Sequence, residues 1–345
     1  MRIAALVKTG CVRLLEGPEE EPARGQIQVS VQAVGICGSD MLSYTSEGIP
    51  GTVLGHEATG LVVKCGPGVT GWTAGDRVAL EPAIYCYHCE FCHAGRHNIC
   101  RHVQFHSLGP LPGFLREYVN LPADCLLPLP AGVGFAEGTL FEPLAVALHS
   151  MKFVALQPHD TAVVFGAGPI GLMTIALLKL SGAGRVWAIE PVAHRREMAR
   201  AMGADATIDP HAADAAREVL SDTNGRGVDV TIDCAARGHS LEQCVIAARN
   251  GGRMVVTGIP CEPRTVIDWN VARRKELVIY NVRRSNHKSL AALKLLAEQP
   301  ERFGTTITHV TPMEDVQPAL EMVRNYADGV GKMVIAVNNR LRKPG

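Results

Sequence analysis

The chain has 345 residues, 34 Lys plus Arg against 34 Asp plus Glu, and 47% hydrophobic residues. A formal net charge of zero argues against a nucleic-acid binder held by phosphate contacts, a polybasic membrane-surface protein and a charged disordered chain. The length allows two domains with separate cores, and aromatics at only 5% make those cores aliphatic.

Met1 to Lys8 reads as a strand, not as a secretory leader, because no apolar region of leader length precedes its second basic residue. Eleven cysteines, an odd number, do not suit a closed disulfide framework. A reducing cytosol is therefore the expected location, with thiols free for metal or catalysis. Ile27 to Val34 alternates apolar and polar residues as a half-buried strand does. Gly60–Val63 and Asp76–Leu80 predict further strands around the turn Gly66-Pro67-Gly68, so this half is expected to be β with loops.

Two sets of metal-binding residue types lie in it. Cys86, Cys89, Cys92 and Cys100 form C-x2-C-x2-C-x7-C. Two-residue spacers let successive sulfurs turn toward one centre, and four thiolates close a tetrahedron around zinc with no open position. An iron–sulfur cluster also takes four thiolates, but its common run differs in spacing and places Pro after the last Cys, where this chain has Arg101. His88, His93 and His97 are expected to be exposed loop residues. The second set is Cys37, in Gly35-Ile36-Cys37-Gly38-Ser39-Asp40, and His56, in Gly55-His56-Glu57. With one carboxylate, from Glu57 or Glu142, they would supply the three protein ligands of a catalytic zinc. His102, His106 and His149 keep a structural reading, as do Cys11, Cys65, Cys125, Cys234, Cys244 and Cys261.

Near residue 150 the pattern changes. Strands are expected at Ala162–Phe165, Arg185–Ile189, Ala206–Ile208, Val228–Asp233, Arg253–Thr257 and Leu277–Asn281. Helices are expected at Ile170–Leu180, His194–Met202, Asp214–Leu220 and Ser240–Ala248. This alternation predicts βαβ units and a parallel sheet covered on both faces. Thr161 to Leu178 carries no charge, but Gly166, Gly168, Pro169 and Gly171 interrupt it, so strand, turn and helix explain it better than a membrane span. Gly166-Ala167-Gly168-Pro169-Ile170-Gly171 is a G-x-G-x-x-G between that strand and that helix, the setting in which the pattern cradles a dinucleotide. Glu190 ends the next strand. An acidic side chain there accepts from ribose hydroxyls and repels a 2′-phosphate, which favours NAD over NADP. Arg195 and Arg196 follow closely. They could accommodate a 2′-phosphate or simply cover the helix start as solvated charge. A final helix is expected over Ser289–Ala297, a strand over Lys332–Val337 and a frayed tail from Asn338 to Gly345.

Together these residues resemble the zinc-containing medium-chain dehydrogenase/reductase family over nearly the whole chain, including Gly75-Asp76-Arg77-Val78. Glu142-Pro143-Leu144 followed by His149 is most similar to the sorbitol (polyol) dehydrogenase branch, whereas threonine dehydrogenases usually show Asp-Pro-Phe there. Asp268-Trp269 after Gly258-Ile259-Pro260 is shared with both.

The resemblance implies a fold of class α/β plus β. A GroES-like, mostly-β catalytic domain over residues 1–150 and 285–345, with its zinc loop at 86–100, would be interrupted by a doubly wound, parallel-sheet Rossmann domain over 151–284. It implies two zinc ions per chain, a catalytic one on Cys37 and His56 with Glu57 or Glu142, and a structural one on the four cysteines. Ser39 would relay the alcohol proton, and the chain would assemble as a homodimer or homotetramer.

The expected activity is zinc-dependent hydride transfer between NAD and a secondary alcohol, a polyol or sugar-like alcohol. A threonine-type amino-alcohol dehydrogenase and a catalytically silent binding protein on the same fold are the alternatives. There are departures. Leu42 stands where liver-type alcohol dehydrogenases place a relay histidine. The segment between Asp40 and His56 is short for a polyol dehydrogenase, and the Arg-Tyr substrate pair is not evident in Tyr280-Asn281-Val282-Arg283-Arg284.

Overall fold

The computed structural model describes residues 1–45, 48–260, 262 and 264–338. Cys261 and the tail residues 339–345 lie outside them. The chain divides into two compact units, Met1–Glu142 with the chain from Ser289 onward, and Pro143–Lys288. The sequence places these divisions at 150/151 and 284/285. In the structure the first falls inside the helix Phe141–Val154, just after its first-turn residue Glu142.

The first unit is built on a seven-stranded sheet. Its hydrogen-bonded path runs Ile307–Pro312, Lys332–Ala336, Gln26–Gly35, Glu57–Cys65, Arg77–Leu80 and Leu126–Pro128, with Tyr118–Pro122 also pairing to Gln26–Gly35. Gln26–Gly35 is therefore central. Tyr118–Pro122 and Lys332–Ala336 occupy successive stretches of one of its edges, and Glu57–Cys65 occupies the other. This corrects the half-buried reading of Ile27–Val34. Gln28 and Gln32 are buried along with Ile27, Val29, Val31 and Ala33, because the strand is covered on both faces. Gln28 meets the cost of burial by donating to the Glu20 carbonyl at 3.0 Å. Asn338 is not frayed, since its amide donates to Val31 O at 2.7 Å and Ser30 Oγ at 3.0 Å.

The second unit holds a six-stranded parallel sheet. Its order is Ala206–Ile208, Val186–Ile189, Ala162–Phe165, Val228–Asp233, Ala248–Val256 and Val278–Asn281. In chain order this is 3-2-1-4-5-6, with the reversal beside Ala162–Phe165, where open α/β sheets bind their ligands. The central strands are apolar throughout because helices cover both faces, and all four residues of Ala162–Phe165 and of Val186–Ile189 are buried. Helices lie at Pro169–Leu180, Ala193–Ala201, Ala215–Asp222 and Ser240–Ala247, each within two residues of its expected limits. The fifth strand begins earlier than expected, because Ala248 already pairs with Val228. Among the described residues no helix is long and apolar enough to cross a membrane.

Candidate active site and metal centres

The first donor cluster is assembled around the end of the central strand. After Gly35 and buried Ile36, the chain turns at Cys37 into the helix Gly38–Thr45. Asp40, buried in the first turn of that helix, fixes two backbone segments at once. Its Oδ2 accepts the Cys37 N–H at 2.9 Å, and its Oδ1 accepts the Gly55 N–H at 3.0 Å. Gly55 has φ +86, and a Cβ there would stand 2.6 Å from Val34 Cγ1, so only glycine brings His56 to this place without strain. Glu57 then pairs in register with Gly35, whose missing Cβ leaves room for the Glu57 carboxylate.

As a result, one ligand atom each from Cys37, His56 and Glu57 lies within 4.8 Å of the other two. Glu142 is outside that group. It faces the charges of His56, Glu57, Glu81 and Lys332, and burial pushes its carboxyl up to about 7. Ser39 Oγ lies 3.3 Å from Cys37 Sγ and 3.5 Å from His56 Nε2. The other imidazole nitrogen, Nδ1, is 2.9 Å from Ser107 Oγ and 3.5 Å from Asp40 Oδ1. The Phe105 ring packs on the imidazole with centroids 5.4 Å apart.

The field in this pocket favours a cation. Burial opposes charge on His56, yet the neighbouring Asp40 carboxylate and Cys37 sulfur outweigh it and hold the imidazole pKa well above its ordinary value. Glu57 is fully buried, with Oε2 paired to Lys332 Nζ, which also donates to Ile36 O at 2.9 Å. Glu57 Oε1 is buried with no hydrogen-bond partner. Buried polar atoms are normally satisfied. A sulfur, an imidazole nitrogen and an orphaned carboxylate oxygen form a donor set that suits zinc, and three protein ligands leave a position for substrate or water.

The four-cysteine loop is a second, closed cluster, with all four ligand atoms within 4.8 Å of one another. Individual Sγ···Sγ distances are 3.5 Å for Cys86–Cys100, 3.8 Å for Cys89–Cys100 and 3.9 Å for Cys86–Cys92. A tetrahedron of Zn–S bonds of about 2.3 Å has edges of about 3.8 Å. Backbone donors stabilise thiolates here. The Arg101 N–H lowers the Cys89 pKa to about 6, and the His102 N–H points at Cys100 Sγ at 3.4 Å. His88 and His93 are exposed, and His97 packs on Tyr85 and Tyr87.

In the second unit, Gly166 has φ +91, and a Cβ there would meet Ala235 Cβ at 2.9 Å. A Cβ on Gly171 would collide with the Gly166 carbonyl, so the third glycine lets the helix Pro169–Leu180 close on the loop. Pro169 occupies the first helical turn and Ile170 follows it. Glu190 is buried at the end of Val186–Ile189, its Oε2 accepting the Ala167 N–H at 2.7 Å and its Oε1 the Val192 N–H at 3.0 Å. Arg195 is buried, not a solvated charge, with Nη1 4.0 Å from where a Cβ on Gly168 would stand. Arg196 turns away, donating to the Glu190 and Pro191 carbonyls and pairing with Asp209.

Sequence reasoning did not assign roles to Asp40, Ser107 or Lys332. Asp40 lies inside the Gly35–Asp40 motif, whereas Ser107 and Lys332 come from distant segments with no local signal.

Comparisons with known proteins fit this arrangement. Residues 23–131 match the model of the alcohol dehydrogenase GroES-like domain, and residues 169–298 match that of the zinc-binding dehydrogenase. The chain is 30% identical to sorbitol dehydrogenase of Bacillus subtilis (strain 168), covering 98% of both chains. It is 36% identical to a Probable D-xylulose reductase A of Emericella nidulans, covering 86% of this chain and 85% of that one. A structure from Sinorhizobium meliloti 1021, described as a zinc-binding dehydrogenase bound to NADP, superposes with a TM-score of 0.88 at 29% identity, covering 97% of this chain and 99% of that one.

Proposed function

The chain belongs to the zinc-containing medium-chain dehydrogenase/reductase family and is an alcohol oxidoreductase, and we propose that it oxidises a secondary alcohol of the polyol or sugar-like class with NAD. The carrying observation is the convergence of Cys37, His56 and Glu57, with one orphaned carboxylate oxygen, in a chain that also has the glycine loop. The likeness to a sorbitol dehydrogenase and a D-xylulose reductase supports the substrate class.

In this reading Cys37, His56 and Glu57 hold the catalytic zinc, with Glu142 beside them as an alternative ligand. Zinc supplies Lewis acidity that lowers the pKa of an alcohol hydroxyl. Ser39, half-buried between Cys37 Sγ and His56 Nε2, takes the hydroxyl proton and passes it toward solvent. Leu42 has no proton to exchange, so Ser39 carries this step with water. Cys86, Cys89, Cys92 and Cys100 hold the structural zinc. Gly166, Gly168, Pro169, Ile170 and Gly171 give the diphosphate close approach to backbone N–H groups, and the buried Arg195 adds positive charge beside Gly168. The same reading includes assembly as a homodimer or homotetramer.

The substrate class is tested by following NADH absorbance across a panel of polyols and L-threonine. Polyols are expected to exceed threonine in kcat/KM by at least about tenfold. A preference for threonine would replace the polyol reading with the amino-alcohol one.

NAD is favoured because each Glu190 oxygen accepts one backbone N–H and keeps a lone pair for a ribose hydroxyl. A 2′-phosphate beside that carboxylate would meet like charge. NAD should exceed NADP by about 10²-fold in kcat/KM, equivalent to about 2.7 kcal/mol, and Glu190→Ala should narrow the gap to about tenfold or less. Equal use of both cofactors by the parent would refute the Glu190 argument.

A further inference from the structure

Phe105-His106-Ser107 comes to the donor cluster from a different segment than Cys37 and His56. Phe105 packs against the His56 imidazole at a 60° tilt, and Ser107 Oγ reaches its Nδ1 edge at 2.9 Å. Ser107 is buried and has φ +69, a left-handed conformation that residues bearing a Cβ rarely adopt. Its position is held by neighbours. The Ser107 N–H donates to Leu111 O at 3.1 Å, the His106 N–H donates to Pro82 O at 3.0 Å, and His106 Nδ1 bonds Pro112 O at 2.7 Å. Glycine would satisfy the backbone at this position, so the backbone alone gives no reason for a hydroxyl here.

The other candidate partner of Nδ1 is Asp40. Its Oδ1 is 3.5 Å away, at the outer limit of an N–H···O hydrogen bond, and it acts on the ring chiefly through its charge. Asp40 thus holds the backbone around Cys37 and Gly55 and faces the ring as a charge, and Ser107 makes the shorter contact to Nδ1. A metal-binding imidazole must present a lone pair, and which nitrogen does so is set by the hydrogen bond at the other.

We propose that Ser107 is a positioning residue for the catalytic metal centre: its Oγ accepts the Nδ1–H of His56, which fixes the ring orientation and leaves Nε2 as the lone-pair donor. Ser107 has this role only if Cys37, His56 and Glu57 hold zinc, the reading proposed above.

Ser107→Gly removes the hydroxyl and relaxes the backbone at the same time. The full-length, zinc-loaded protein is titrated with a chromogenic chelator, and a cobalt-loaded sample is followed by visible absorption. Cys37→Ala, run alongside, identifies which ion belongs to the catalytic cluster. Ser107→Gly is expected to weaken that ion's binding about 10–100-fold and shift the cobalt bands, leaving the four-cysteine ion unchanged. A merely structural serine would not move a metal spectrum while the fold gains a more permissive residue. Ser107→Ala gives the same readouts should the glycine variant fail to fold. Zinc retention within about twofold of the parent, with unchanged cobalt bands, in the variants that fold would overturn the role of Ser107 while the metal site stands. A parent that binds no Cys37-dependent ion would instead overturn the metal-site reading itself.

Discussion

Cys37→Ala is expected to lower the zinc content from about two ions per chain to about one and to reduce kcat/KM for alcohol oxidation by about 10³-fold or more, about 4 kcal/mol of barrier. The expectation follows from the donor count. Three ligand atoms converge, and each supplies something the others cannot replace: a thiolate, an imidazole lone pair and a carboxylate oxygen. With Cys37 gone, the remaining pair is His56 and Glu57, and Glu57 Oε2 is already paired with Lys332. Two ligands with one half-neutralised hold zinc poorly. Glu142 lies outside the converging group, so it does not complete the set without movement. Metal analysis by mass spectrometry and steady-state kinetics check the result together. NAD-dependent activity within about tenfold of the parent would remove zinc on Cys37 from the mechanism.

Cys100→Ser is expected to act on stability where Cys37→Ala acts on chemistry. The loop from Cys86 to Cys100 contains only a four-residue helix, a short 3-10 turn and few apolar partners. Its order depends on the sulfurs. Cys100 Sγ lies 3.5 Å from Cys86 Sγ and 3.8 Å from Cys89 Sγ, and the His102 N–H points at it. Structural zinc contributes folding free energy directly, about 10 kcal/mol or more in small zinc domains. Losing one of four ligands should therefore release the ion and open the loop locally without unfolding the sheet. Arg96 and Arg101 are exposed in and beside this loop, so trypsin reports the opening. Cleavage there should accelerate at least about tenfold over the parent, whereas Cys37→Ala should leave it unchanged. A Cys100→Ser protein that keeps both ions and the parent's trypsin resistance would show that the loop is held by something other than the metal.

The two substitutions also separate what could be read along the chain from what could not. C-x2-C-x2-C-x7-C and G-x-G-x-x-G are local patterns. Their chemistry depends on short spacings, so a tetrahedron of sulfurs and a strand–turn–helix cradle follow from the residues alone. The parallel sheet was legible for a similar reason: apolar runs of strand length alternate with helical ones, and Ala162–Phe165, Ala206–Ile208 and Val228–Asp233 formed at the expected residues. The central strand Gln26–Gly35 was only partly legible. Its alternation is real, but Gln28 and Gln32 are buried, because chain outside the sheet lies over the polar face as well, with Gln28 donating to Glu20 O and Asn338 to Ser30 Oγ.

By itself the sequence determined the fold class, the two cysteine- and histidine-bearing segments and the dinucleotide loop, because each is encoded by residues within about one helical turn or hairpin of one another. Tertiary structure decided which carboxylate joins Cys37 and His56, how Glu57 is paired, where the buried charge of Arg195 points and what holds the far edge of the imidazole. Those contacts join Gly35 to Glu57, Glu57 to Lys332 and His56 to Ser107. No local pattern registers them, because sheet pairing and chain crossing place these side chains together only after the fold has formed.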